Sequence, residues 1–444
     1  MDTFFPSILL IYLEPFRQLF SQPTYYYFKA FIWAVMIIEG KKTTTNIAHA
    51  CFFLKKHIAS FERFLAEYVW DMNKVSQTLV NILLKVLADK LFVYDAFLLA
   101  LDTTNTPKST KKMMGTQKWK DHSSNPDRGD YIIGHQWAVA GLVSRFANRF
   151  ICWPILTRMM SGKKNPSHYV CSPQGLRPMT FWDSVLAIIL QAREFLKAIR
   201  AIPFKLRVVV DAYFANASFI NPMIDEGIYV ITRWRKDGVG WDDPIPHVGK
   251  RKVGRPREYG IEYKLASLLK IFTPKHLLVY TYGQLSHVSV VTRDMWLRDL
   301  KEKVRVVVIE GINEPIILLS TDMTLSAAEI IEIYSSRFSI EIAIRELKQH
   351  FGFGDYQCTT TVSIFRFVQL SCVSLCLWRL MLLPQNISNW LTYIKSNETE
   401  FSFTRARRGL RRFVLRHIIF RNSADSAELE KMEQEYEPVF RIAA

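Results

Sequence analysis

Apolar and polar positions along the chain fall into successive regimes. From residue 1 to about 90, apolar residues recur every three to four positions, as in IAHACFFLKKHIASFERFLAEYVWDMNKVSQTLVNILLKVLAD, which predicts helices. From Leu91 the pattern changes. FVYDAFLLALDTT is a short apolar run that reads as a buried strand ending at Asp102. A polar loop follows, and then YIIGHQWAVAGLVSRF and FICWPILTRMM are two further strand candidates. PMTFWDSVLAIILQAREFLKAIRAI has helical periodicity starting near Thr180, and LRVVVDAYFAN is a β-branched strand running into Asp211. After a short helical piece, IYVITRWR is another strand. Three strands, helix, strand, helix, strand predicts an α/β fold, in which functional groups gather at the carboxyl ends of strands.

Residues 236–260 are Gly/Pro-rich and basic and read as a loop. KHLLVYTYG, SHVSVVTRD, VRVVVIEG and EPIILLSTD then follow as short β-rich segments, an antiparallel set forming a β insertion over about 236–322. The stretch Leu325 to Gly352 has no internal Pro or Gly, opens with Thr324 and Ser326 as candidate caps, and ends at a Gly, so it predicts one helix. On it Tyr334, Glu341 and Lys348 fall within about 20° of one another, with Arg337 and Arg345 about 40° to either side. A second polar stripe, Glu332, Ser336, Ser339, Glu346 and His350, reads as the solvent face. The first stripe is then a charged line hemmed in by apolar residues, where an unpaired charge is costly. The competing reading is an ion-pair ladder, Arg337–Glu341–Arg345, on an exposed helix. From about 356 the chain is again helical and carries a basic block, FTRARRGLRRFVLRH.

Charge narrows the partner. The formal net charge of +17 and a pI near 9.5 point to a polyanion, either nucleic acid or an anionic membrane. The longest uncharged apolar run, Phe367 to Trp378, is too short to span a bilayer, and the N-terminus lacks the basic start of a signal peptide. Membrane partnership therefore loses ground to nucleic acid. The six cysteines are scattered without metal-ligand spacing, as expected of reduced thiols in a cytoplasmic protein, nucleoid-associated when bound to DNA.

The chemistry-bearing residues are carboxylates. Asp102 and Asp211 sit at apparent strand ends and Glu341 on the charged helix stripe. Three converging carboxylates can hold two Mg2+ ions for in-line phosphoryl displacement, being hard oxygen ligands that offset the metal charge. Spacing alone leaves Asp95, Asp183 and Asp225 as rivals, and either strand-end Asp taken singly reads as a turn cap.

The helix adds a specific pattern: Y-x2-R-x3-E-x6-K is present as Tyr334, Arg337, Glu341 and Lys348. It resembles the signature of the DDE insertion-sequence transposases whose third carboxylate lies in a Tyr-Arg-Glu-Lys motif. DTTNTPK at Asp102 and VVVDAYFAN at Asp211 resemble that family's two Asp segments, and a β-rich insertion lies between the second Asp and the Glu. The resemblance covers about residues 90 to 355. It implies an RNase H-like mixed sheet flanked by helices, with Asp102, Asp211 and Glu341 as catalytic ligands of two Mg2+ ions, for which Mn2+ can substitute. Tyr334, Arg337 and Lys348 would bind phosphates of double-stranded DNA, both the terminal inverted repeats and the target, with a homodimer on DNA. Arg345 joins them from helical geometry alone. The expected organisation is a helical N-terminal region (1–90) with DNA contact from Lys41, Lys42, Lys55 and Lys56 as one reading, a catalytic domain (91–355), and a basic helical C-terminal region (356–444).

Two basic features stand apart. Lys250, Arg251, Lys252, Arg255 and Arg257 lie in KRKVGRPRE, where an extended Arg-Pro-Arg can follow a narrow minor groove or simply make nonspecific phosphate contacts. The seven arginines from Arg405 to Arg421 can grip the DNA backbone or solvate a helix. Trp234, Trp241 and Trp296 are candidates to stack on a flipped base, with core packing as the alternative. A Mg2+-dependent structure-specific nuclease of the same fold and a catalytically idle transposase-derived DNA-binding protein are the rival functions.

Overall fold

The computed structural model describes residues 5–414, apart from 52–56, 111–112, 121–129, 161–168, 173–174, 199–203, 245–257, 384–385 and 387–402. The N-terminal region forms α1 (Ser7–Leu13), α2 (Gln22–Ile37), α3 (Thr44–Ala50), α4 (Ile58–Ala66) and α5 (Met72–Leu87). Side-chain oxygens of Ser21, Thr43 and Asp71 cap α2, α3 and α5, accepting hydrogen bonds from backbone N–H groups of each first turn.

The sheet begins with β1 (Phe92–Val93), β2 (Ala96–Pro107), β3 (Gln117–Lys120), β4 (Tyr131–Phe146) and β5 (Arg149–Met159). A small hairpin, β6 (Tyr169–Ser172) and β7 (Gly175–Pro178), precedes α6 (Phe181–Lys197), which starts on a Thr180–Asp183 capping box. Then come β8 (Lys205–Val209), α7 (Ala217–Asp225) and β9 (Tyr229–Arg233). These strands lie in the order β5-β4-β2-β8-β9, with β4 antiparallel to β2 and β5, and β8 parallel to both β2 and β9. That is the order of an RNase H-like mixed sheet.

The β-rich stretch after residue 236 extends this sheet. After the short pair β10 (Val239–Trp241) and β11 (Glu262–Lys264), and α8 (Leu268–Ile271), come β12 (Lys275–Thr281), β13 (Gln284–Met295), β14 (Val304–Ile309) and β15 (Ile316–Ser320). They form an antiparallel meander, and β15 pairs with β9. The result is one 11-stranded mixed sheet flanked by helices.

The helix expected over Leu325 to Gly352 is present as α9 (Ala327–Ser336) and α10 (Phe338–His350), which meet at Arg337. Arg337 keeps helical dihedrals, but its N–H bonds the Tyr334 carbonyl, a locally tightened turn. Ser326 and Glu329 form a capping box at the start, and Gly352, at φ +70°, ends the run.

The second polar stripe is not a solvent face. Glu332, Ser336 and Ser339 are buried. The Glu332 carboxylate accepts hydrogen bonds from the Tyr94 hydroxyl, Arg145 at 3.1 Å and the Tyr280 N–H at 3.1 Å, so a buried charge is satisfied. Ser335 and Ser336 bond carbonyls of their own helix, and their small size lets α9 lie close to the sheet. Glu346 pairs with Arg379 at 2.7 Å.

Helix α11 (Thr361–Met381) is long and apolar enough to cross a bilayer, yet it is mostly buried, packed on β5, α2, α4 and α5. Arg366 on it donates to the carbonyls of Leu65, Tyr68 and Trp70, which ties the N-terminal helices to the sheet domain. Helix α12 (Phe403–Val414) carries part of the C-terminal arginine block. Two of those arginines turn into the protein. Arg407 Nε donates to Met36 O at 2.9 Å and Arg411 Nε to Ile37 O at 3.0 Å, and both side chains are buried at the C-terminal end of α2. Lys42 is also buried, its N–H bound to Asp355, so it faces the core instead of solvent. Arg408 is exposed. Lys55, Lys56, Arg416 and Arg421 lie outside the described residues.

Candidate active site

Strand register brings two carboxylates side by side. Parallel pairing of β2 with β8 ends at Ala100 opposite Val209, so Asp102 and Asp211 each lie two residues beyond the last pair, on the same face of neighbouring strands. Asp102 is not at a strand end, because β2 continues to Pro107 through its pairing with β4. Past Leu101, however, burial on β2 gives way to partial exposure, and the strand there forms one wall of a cleft.

The cleft has a volume of about 890 Å3, and Asp102, Asp211, Asn105, Lys348, Phe181 and Tyr213 are among its lining residues. The Asp102 carboxylate accepts the Thr103 N–H at 2.7 Å. Burial pushes its pKa up to about 6, with repulsion from Asp211 and Glu341 adding to the shift and Arg337 opposing it. Asp211 accepts the Tyr213 N–H at 3.0 Å and is likewise raised by burial, again with Arg337 opposing and Glu341 adding.

Glu341 approaches from α10. Its Oε1 is 2.6 Å from an Arg337 nitrogen, one turn earlier. Arg337 is within electrostatic reach of all three carboxylates. The Arg337–Glu341 rung of the expected ladder therefore exists, but on a face turned toward two more acids. Tyr334, partly buried, has Arg337 over its ring at 6.0 Å from the centroid. Lys348 donates to Asn105 O at 2.9 Å, bridging α10 to β2. Arg345 is exposed. Lys250, Arg251, Lys252, Arg255 and Arg257 lie outside the described residues.

The rival acids are engaged elsewhere. Asp95 pairs with Lys205 and with Arg207, Asp183 caps α6, and Asp225 pairs with Lys301. Of the tryptophans, Trp234 is buried, while Trp241 and Trp296 pair through a β-bridge with Tyr259 against both rings. Trp234 packs in the core, and Trp241 and Trp296 are half-buried.

The donor set suits a hard divalent cation: carboxylate oxygens only, on Asp102 and Asp211 partly buried, which is why their pKa values rise. Among the described residues, no three acidic, imidazole or thiol groups are gathered tightly enough to ligate one ion as they stand. Glu341 is instead held by Arg337. The chemistry fits a divalent cation, and the Arg337 guanidinium lies within electrostatic reach of all three acids.

A polar cluster buried behind the cleft escaped sequence reasoning. The Tyr356 hydroxyl donates to His135 Nδ1 at 2.7 Å and lies 3.0 Å from Thr106 Oγ1, and Trp137 Nε1 donates to both hydroxyls at 3.3 Å. His135 Nε2, 2.9 Å from the Met114 carbonyl, must carry the ring proton. Lys108 closes the cluster over the Tyr356 ring. Together these bonds tie the chain leaving α10 to β2, four residues past Asp102.

The RNase H-like sheet thus carries Asp102 on β2 and Asp211 just past β8, with a third acid brought by a following helix. The family model for the DDE superfamily endonuclease matches residues 15–281, and the chain belongs to that family. A second model, the transposase DDE domain, matches residues 189–377. The solved structure of a piggyBac transposase synaptic complex with hairpin DNA aligns over 100% of this chain and 84% of that one. Its TM-score is 0.35 at 9% identity, a likeness too slight to carry fold or function. No curated protein matches the chain.

Proposed function

We propose that the protein is a DNA transposase that cleaves transposon ends and joins the freed 3′-OH to target DNA by two-metal phosphoryl transfer. The observation that carries this reading is the register that sets Asp102 beside Asp211, with Glu341 on α10 within electrostatic reach of both. Asp102, Asp211 and Glu341 would hold Mg2+ or Mn2+, which would supply Lewis-acid stabilisation of the charge that develops on the phosphate. Tyr334, Arg337 and Lys348, the remaining members of the Tyr-Arg-Glu-Lys pattern, bind phosphate oxygens beside the scissile bond. Arg337 contributes a planar fork and Lys348 a point charge.

In cleavage, water displaces the 3′ oxygen from phosphorus and leaves a 3′-OH. In joining, that 3′-OH displaces the 3′ oxygen of a target phosphodiester, so each bond broken is matched by one formed. Two ends must be held together for this, which a homodimer on DNA provides. Exposed Arg345 and Arg408, with the basic residues from Lys250 to Arg257, add backbone contacts.

The test uses a duplex taken from the DNA flanking the coding region, incubated with Mg2+ or Mn2+. Asp102→Ala, Asp211→Ala and Glu341→Ala should each abolish strand cleavage and leave DNA binding largely intact. Cleavage at the wild-type rate by Glu341→Ala would refute the assignment.

A further inference from the structure

The cleft that holds Asp102 and Asp211 also has an aromatic wall, for which phosphate chemistry has no use. Tyr213 lies two residues beyond Asp211 and is 60% exposed, so burial does not explain a ring of that size there. It is nonetheless fixed in place. Its N–H is held by the Asp211 carboxylate at 3.0 Å, and its ring stacks on Trp182 with centroids 5.9 Å apart and planes 26° apart. Phe181 meets it edge-on at 5.4 Å, and Phe181 and Tyr213 both line the cleft. Behind them Phe214, almost fully buried, braces both Phe181 and Trp182. A rigid ring open to a nucleic-acid cleft suits the π face of a nucleobase, whereas a phosphate would call for a cation.

We infer that Tyr213, backed by Phe181 and Trp182, is a stacking site for one unpaired nucleobase of the strand whose phosphate lies at Asp102 and Asp211. This rests on the reading of the protein as a DNA-processing enzyme and adds a subsite beside the reacting phosphate. A base reaches the ring only after leaving the duplex, so the site selects for being unpaired and tolerates any base.

The test measures binding of the full chain to a fluorescent duplex with a short oligothymidylate overhang, and to the same duplex with an abasic overhang, for both overhang polarities. Wild type should prefer the base-bearing overhang by about tenfold. Tyr213→Ala should bring that ratio close to one while keeping wild-type affinity for the abasic duplex, and Tyr213→Phe should retain the preference. Should Tyr213→Ala fail to fold, Tyr213→Leu, which keeps bulk without a π face, serves the same comparison. A wild type without base preference, or a Tyr213→Ala protein with the wild-type ratio, overturns the stacking site and leaves the DNA reading standing. Failure of wild type to bind either duplex overturns the DNA reading and the stacking site with it.

Discussion

Arg337 and Glu341 are joined by a 2.6 Å ion pair across one helical turn, with Asp102 and Asp211 within electrostatic reach of the same guanidinium. The side chain proposed to grip DNA phosphate thus rests on a side chain proposed to hold metal. Glu341, if it were to hold a divalent cation as proposed, would release Arg337, whose guanidinium would then be available to phosphate. Metal and DNA should therefore each favour the other's binding.

Arg337→Gln should raise the affinity for Mn2+, read by calorimetry or by the free-ion resonance signal without DNA. It should also lower the salt slope of DNA binding by about one phosphate contact. Unchanged Mn2+ affinity would show that the ion pair does not compete with metal.

The raised pKa of Asp102 makes metal-free stability pH-dependent. A carboxyl that holds its proton more tightly when folded contributes stability that is full below the unfolded value of about 4. That contribution is lost as pH rises through about 6, where the folded state must carry the buried charge. Asp102→Asn should therefore raise the melting temperature above the wild type's at neutral pH without metal, and the gain should shrink below pH of about 5. Thermal melts across that range check it, and a pH-independent difference would contradict the buried charge.

The strand and helix order was legible because alternation and three-to-four-residue spacing directly reflect burial. The second polar stripe of α9 and α10 reads as a solvent face because Glu332, Ser336 and Ser339 are polar in sequence. Only the fold supplies the Tyr94, Arg145 and Tyr280 groups that neutralise Glu332. Asp102 reads as a strand end because apolarity stops there, while hydrogen bonding to β4 carries the strand on to Pro107. Tyr213 and Tyr356 were not singled out, since one exposed ring and one buried hydroxyl look alike in a sequence.

The C-terminal arginines show the same limit, and their different settings yield a prediction. Arg407→Ala should destabilise the protein by about 2 kcal/mol or more in urea titrations, because the buried Met36 carbonyl loses its donor. Arg408→Ala, at an exposed position, should leave stability unchanged and weaken DNA binding slightly. Equal effects of the two substitutions on stability would contradict the placement of α12.

Tyr356→Phe removes the hydroxyl shared by His135, Thr106 and Trp137, leaving a buried imidazole nitrogen without its donor. It should cost about 1–3 kcal/mol in stability. It should also reduce cleavage more than DNA affinity, since the cluster anchors β2 beyond Asp102. Wild-type stability and cleavage together would show that the cluster is idle.

Strand transfer is proposed to take place at Asp102, Asp211 and Glu341. The most direct measurement supplies pre-cut flanking ends bearing a 3′-OH, a supercoiled target plasmid and Mg2+, and looks for covalently joined product. Wild type should give joined product and Glu341→Ala none. Nicking of the plasmid by wild type without any joining, or joining by Glu341→Ala at the wild-type level, would contradict the proposal.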